Sequence, residues 1–123
     1  MLNRVQRVVI AVSDLEAAEV LYGGTFGLKG TPVEDFPELG ARRLRFDVGN
    51  AFIDIAQPVT DSGPLFQFIK DRGEGLYLMV VQVEDLNGTV AALIARGADI
   101  VRHGGRTFIS PKTTHGALME LLE

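Results

Sequence analysis

The chain contains no cysteine and no tryptophan. Without cysteine there can be no disulfide frame, no thiol nucleophile and no thiolate metal site, and a reducing compartment suits the composition. Basic charge is also scarce: 12 Lys and Arg against 16 Asp and Glu leave a net charge of −4. That balance argues against a general nucleic-acid or membrane-surface role. No apolar run approaches the ~20 residues of a membrane span. The run from Val8 to Val12, behind Arg4 and Arg7, is too short for a signal peptide, so a cytoplasmic protein is expected. Neither G-x-G-x-x-G nor G-x-x-x-x-G-K occurs, and nucleophile-elbow, H-E-x-x-H and calcium-loop patterns are missing too.

What is present is an ordinary globular composition, 46% hydrophobic and 23% charged over 123 residues. That length buries a core without staples. Its organising feature is an internal repeat. The stretch RVVIAVSDLEAA (7–18) is restated as LMVVQVEDLNGT (78–89), with Val83 answering Val12, Asp85 answering Asp14 and Leu86 answering Leu15. Farther on, ALMEL (117–121) answers AFIDI (51–55), setting Glu120 against Asp54. Two copies suggest pairing about a pseudo-twofold rather than a solenoid, which needs three or more. The expected organisation is one domain over 1–123, built of pseudo-repeats 1–60 and 75–123 joined by a short helix over 64–72.

Taken in order, Arg7 to Val12 reads as a buried strand. Ser13 and Glu16 form an S-x-x-E capping box for a helix whose apolar face is Leu15, Ala18 and Tyr22, and Gly23-Gly24 should stop it. Thr31 to Gly40 reads as loop. Ala41 to Ala56 is a hairpin about Gly49-Asn50, which sets Val48 against Ala51, Phe46 against Ile53 and Arg45 against Asp54. Pro64 opens the short helix and Gly73 closes it. The second copy follows: strand Leu76 to Val83, Asp85 as N-cap, and a stripe of Leu86, Val90, Leu93 and Ile94 ended by Arg96-Gly97. A brief strand at Ile100-Val101, a Gly-rich loop from His103 to Arg106 and strands over 107–109 and 117–122 complete the chain.

Alternation sorts the strand residues into two faces. Leu44, Phe46, Val48, Ile53, Ile55, Met119 and Leu121 belong to a core side with the helices. Arg7, Arg43, Arg45, Asp54, Leu78, Gln82 and Glu120 belong to the other. That second face is either a solvated sheet with cross-strand ion pairs or the lining of a functional cavity; a one-residue slip in any strand inverts the assignment. His103, His115 and Lys112 lie in loops.

The repeated V-x-D-L junctions and the terminal PKTTHGALMELLE resemble the vicinal oxygen chelate superfamily, which includes glyoxalases, extradiol dioxygenases and bleomycin-resistance proteins. PELG (37–40), FIDIAQP (52–58) and DSGPLFQFIKDRGEGLYLMVVQVEDL (61–86) are most similar to its methylmalonyl-CoA epimerase-like members. The resemblance spans nearly the whole chain. It implies an α+β fold in which two βαβββ units form a U-shaped mixed sheet with helices on the convex side. It also implies a divalent metal held by two His and two acidic residues, at positions occupied here by Arg7, Asp54, Leu78 and Glu120. Both His are replaced, so the expectation is no metal and no cofactor, with Arg7 bridging Asp54 and Glu120 instead.

Two functional classes follow. One is a metal-independent isomerase or lyase acting by proton transfer on a carbonyl or acyl substrate with an anionic group. There Glu120, Asp54 and Glu38 would be catalytic, and Arg7, Arg43, Arg45, Leu78, Gln82 and His115 would bind substrate. The alternative is a non-catalytic, ligand-sequestering protein of the bleomycin-resistance kind; a degenerate relative with a closed ion network is the third reading. The expected partners are a small molecule and a second copy of the chain in a homodimer, with neither nucleic acid nor membrane.

Overall fold

The structure is a computed structural model that describes all 123 residues. It is a mixed α+β fold of nine strands and three α-helices: β1 Leu2–Ala11, α1 Leu15–Glu19, β2 Lys29–Gly30, β3 Glu34–Phe36, β4 Ala41–Asp47, β5 Phe52–Pro58, α2 Pro64–Arg72, β6 Gly75–Val83, α3 Leu86–Ala95, β7 Ile100–His103, β8 Arg106–Ile109 and β9 Met119–Leu122. No helix is long and apolar enough to cross a membrane. Two compact units emerge, Val8–Tyr77 and Met1–Arg7 with Leu78–Glu123. They are called here the Asp54 unit and the Glu120 unit.

In the Asp54 unit the β4–β5 hairpin is the frame. Gly49, at φ +94°, permits the tight connection, and Val48 N donates to Ala51 O. The register then runs Asp47 to Phe52, Phe46 to Ile53, Arg45 to Asp54 and Leu44 to Ile55, as the two-residue turn dictates. On one face Leu44, Phe46 and Ile55 join Val12, Leu15 and Ala18 in a buried cluster, with Ile10, Tyr22, Leu28 and Ile53 packed against it. Each fully buried aliphatic or aromatic side chain contributes about 1.5–3 kcal/mol. Val48, expected in this core, is 37% exposed because it lies at the hairpin tip.

Three local expectations are corrected here. The N-cap of α1 is Asp14, whose Oδ1 accepts from Ala17 N at 3.1 Å. Ser13 is held outside the helix by its own N–H, which donates to Glu74 Oε2 at 2.8 Å. Glu16 turns away to pair with Arg42 at 2.6 Å, so no capping box forms. Gly23-Gly24 does not stop the helix either; the chain widens into a π-turn from Val20 to Thr25. Tyr22 stacks on Phe46 and meets Phe26 edge-on, which keeps that turn against the core. Within the expected loop, β3 pairs with β4, and a 3₁₀ turn over Pro37–Leu39 ends at Gly40 with φ +60°.

In the Glu120 unit β6 runs parallel to β9, and β8 lies antiparallel to both β9 and β7. Val81, Val83, Val90, Ile109 and Leu121 form its buried cluster, with Met79, Leu86, Leu93, Ala98, Ile100 and Met119 against it. Asp85 caps α3 by accepting from Gly88 N. Ile94, expected in the stripe, is 56% exposed, and Thr89 is buried instead. The stretch from His103 to Arg106 is not a loop. Gly104 and Gly105, at φ +57° and +76°, make a two-residue turn, and His103 pairs with Arg106 across it.

The repeat is also visible in how each helix begins. Leu15 N, at the first turn of α1, donates to Gln57 Oε1 at 2.8 Å. Leu86 N, at the first turn of α3, donates to Glu123 Oε1 at 2.8 Å. Gln57 and Glu123 each lie three residues beyond the acidic strand position of their own copy, Asp54 and Glu120.

Candidate functional site

The face of β4 and β5 opposite the aliphatic cluster carries the chemistry of the Asp54 unit. Asp54 is wholly buried. Arg45, directly across the ladder, forks onto it: Nε donates to Oδ1 at 2.7 Å and Nη2 to Oδ2 at 3.0 Å. Arg43, on the same face of β4, adds a longer contact from Nη1 to Oδ2 at 3.4 Å. The other edge of the Arg43 guanidinium is taken by Glu34, whose Oε1 lies 2.9 Å from both Nε and Nη2. Each guanidinium also covers an aromatic ring, Arg43 over Phe36 at 4.3 Å and Arg45 over Phe52 at 5.1 Å. The hydrogen bonds to Asp54 push the pKa of Arg45 above its ordinary value; burial opposes this, while the charges of Asp54 and Glu34 add to it. Glu38 is exposed on the 3₁₀ turn that leads from Phe36 into β4.

The Glu120 unit repeats the device with one guanidinium. Glu120 is 4% exposed and accepts from Arg106 Nε at 2.9 Å and Nη2 at 2.5 Å. Phe108, not Arg106, is the direct ladder partner of Glu120. Arg106 reaches the carboxylate on the diagonal and covers the Phe108 ring at 5.1 Å. Leu78 is buried, Gln82 is half-buried beside Leu122, and Arg7 is half-buried with Nη1 donating to Gln6 Oε1. His115 is exposed, in a left-handed conformation at φ +59°. Val9 and Ala11 in one unit and Leu78 and Val80 in the other are all buried on the face opposite the helices. Along those strands that face is not a solvated sheet surface.

The structure thus brings together Arg43, Arg45 and Asp54, as alternation indicated, and holds Glu120 in a separate pairing. Arg106 and Glu34 were not among the candidate residues. The Gly-Gly turn could have exposed Arg106, because a two-residue hairpin starts β8 at Arg106 and alternation then sets it on the same face as Phe108. Glu34 had no such signal, since a three-residue strand inside a Pro- and Gly-rich stretch leaves no periodicity to read.

The four positions at which the resemblance implies metal ligands do not supply a suitable donor set. Arg7 is a cation and Leu78 a buried hydrocarbon. Both oxygens of Asp54 and both of Glu120 are already taken up by guanidinium forks. A hard divalent ion needs several free oxygen or nitrogen donors, and binding one here would strand arginine beside it.

Comparison with known proteins agrees with this architecture. Residues 6–110 match the family model described as Glyoxalase/Bleomycin resistance protein/Dioxygenase superfamily. The ethylmalonyl-CoA/methylmalonyl-CoA epimerase of Cereibacter sphaeroides is 30% identical over 98% of both chains. The crystal structure of methylmalonyl-CoA epimerase from Mycobacterium tuberculosis superposes with a TM-score of 0.85 at 28% identity, covering 98% of this chain and 87% of that one. A methylmalonyl-CoA epimerase in complex with methylmalonyl-CoA and NH4+ gives 0.84 at 26% identity, over 98% and 94%. With its βαβββ repeats, paired acidic strand positions and matched helix caps, the chain belongs to the glyoxalase/bleomycin resistance protein/dioxygenase superfamily and stands close to its methylmalonyl-CoA epimerase-like members.

Proposed function

We propose that the protein is an epimerase-like enzyme that moves a proton at the carbon α to an acyl carbonyl, on a substrate carrying an additional anionic group, without a divalent metal or other cofactor. The observation that carries this reading is the Asp54 cluster, where a buried carboxylate fixes two stacked guanidiniums on one sheet face. Fixed cations in a site of low polarity stabilise developing negative charge without reorganising. A planar guanidinium also matches a carboxylate or enolate oxygen pair. The relatives that act on malonyl-type thioesters favour this reading over ligand sequestration.

In this scheme Asp54 is a positioning residue, because its oxygens are committed to arginine. Glu120 does the same for Arg106. Glu38 is exposed and makes no such commitment, and is the group assigned to removing the α-proton; the proton that inverts the carbon is delivered to the opposite face of the planar enolate by water. Arg43 and Arg45 hold the anionic group or the enolate. Leu78 contributes apolar surface, and Arg7, Gln82 and His115 are further substrate contacts. The active species is assigned as a homodimer, which sedimentation velocity tests directly.

The test is deuterium exchange from D2O into methylmalonyl-CoA, ethylmalonyl-CoA and a panel of 2-keto acids, with chelator-treated and metal-loaded protein in parallel. Exchange should survive chelation and fall by about 10²- to 10⁴-fold in Glu38→Gln. Exchange only after metal is added would overturn the metal-free mechanism. No exchange under either condition would overturn the epimerase reading.

A further inference from the structure

Glu34 stands where a substrate anion would be expected to bind. Arg43 has two usable edges. Its Nη1 turns inward to Asp54 at 3.4 Å, and its Nε and Nη2 turn toward Glu34 Oε1 at 2.9 Å. The inner contact is long and the outer one short, so Glu34 fully occupies the outer edge of the guanidinium in the free protein. The partners also differ in exposure: the Asp54 side chain is 0% exposed, Arg43 18% and Glu34 54%. The Arg43 plane is kept in place by Phe36, over whose ring it lies at 4.3 Å. Removing Glu34 would therefore leave the guanidinium stacked and aimed. Glu34 heads β3, a three-residue strand that pairs with β4 through Glu34–Arg43, Asp35–Arg42 and Phe36–Ala41. Its anchor is Phe36, which is buried, while Glu34 and Asp35 are exposed. The acid can therefore swing out while the segment stays docked.

We infer that Glu34 is a built-in competitor for the substrate's anionic group: it occupies the outer edge of Arg43 in the free protein and is displaced by a substrate carboxylate. The inference rests on the reading of Arg43 as an anion-binding residue and adds to it a specificity device. A substrate lacking the free carboxylate gains nothing by displacing Glu34. A malonyl-type thioester replaces one carboxylate–guanidinium fork by another at little net cost. An open cationic site would instead take up any small anion, so the competing acid trades affinity for discrimination.

The experiment is titration calorimetry of wild-type protein and Glu34→Gln with methylmalonyl-CoA and with propionyl-CoA, which lacks the free carboxylate. The arginine Nε–H signals are followed by NMR in the same samples. Glu34→Gln should tighten methylmalonyl-CoA by roughly two- to fivefold, the competition expected of one partly exposed ion pair, and leave propionyl-CoA unchanged. The gain should vanish when Glu34→Gln is placed in an Arg43→Gln background. The Arg43 Nε–H signal should move with methylmalonyl-CoA alone. Equal affinities for methylmalonyl-CoA in wild type and Glu34→Gln, with binding intact, would overturn the competitor and leave the proposed function standing. Weaker binding of both thioesters in Glu34→Gln would show that the pair only braces β3, and would also overturn it. No binding of either thioester to any variant would remove the proposed function, and this inference with it.

Discussion

Asp54 and Glu120 occupy equivalent places in the two copies of the repeat, and both are buried carboxylates gripped by an arginine that rests on a phenylalanine. Their surroundings differ. Asp54 faces its arginine directly across seven-residue strands and has a second guanidinium in reserve, itself tied to an exposed acid. Glu120 sits on a four-residue strand, reaches Arg106 on the diagonal, and has that one guanidinium as its partner. The comparison separates two properties that a list of ion pairs would merge. The richer cluster is the one that can lose a member, and it has an exposed edge on which a ligand could act. The simpler pair has no second guanidinium on the carboxylate to fall back on.

The largest effect should therefore come from the simpler pair. Arg106→Met leaves Glu120 buried without a cation and should cost about 3–5 kcal/mol in urea unfolding of the full chain. Replacing both partners, Arg106→Met with Glu120→Leu, should restore most of that loss, because the penalty lies in the stranded charge rather than in the missing bond. Arg45→Met should cost less, about 2–3 kcal/mol, since Arg43 already touches Asp54 and can close the 3.4 Å gap. If Arg45→Met proves the more damaging of the two, the reserve role of Arg43 is wrong and the two clusters are held by different means.

A third substitution probes the support behind the Asp54 cluster. Gly30 on β2 lies against the core side of β4, and a Cβ there would come within 2.9 Å of both Leu44 Cδ1 and Phe46 Cε1. Gly30→Ala should cost about 1–3 kcal/mol by overpacking, read as a lowered Tm. A neutral outcome would mean that β2 is free to lift from β4.

How much of this was legible follows from where the local rules are strong. The Arg45–Asp54 contact could be read because Gly49-Asn50 sets a two-residue turn and alternation does the rest. The same logic applied to Gly104-Gly105 would have found Arg106, but a histidine and an arginine flanking two glycines read as loop. Ser13 and Glu16 matched a capping box locally. Distant partners decided otherwise, as Glu74 took the Ser13 N–H and Arg42 took the Glu16 carboxylate. The repeat is the better guide there, since Asp85 reads as a cap and Asp14 is its counterpart. Glu34 was out of reach, because what places it is the pairing of β3 with β4 through a buried Phe36.

The smallest predicted effect is also the one on which the two copies should agree. Asp14 and Asp85 have nearly the same backbone conformation, φ −137°, ψ 100° and φ −131°, ψ 100°. Each accepts from the backbone N–H three residues on, at 3.1 Å. In both helices the neighbouring first-turn donor, Leu15 N or Leu86 N, is already satisfied by Gln57 or Glu123. An Asp→Ala change at either cap therefore removes one acceptor and strands one amide, and should cost about 1 kcal/mol rather than the 2 kcal/mol at the top of the usual range. α1 is only five residues long before it widens into the π-turn, whereas α3 runs for ten. If helix length set the worth of a cap, Asp85→Ala would be the costlier change. Equal losses in urea unfolding would show that the worth lies in the junction itself, the part of the repeat that the two copies have kept most alike.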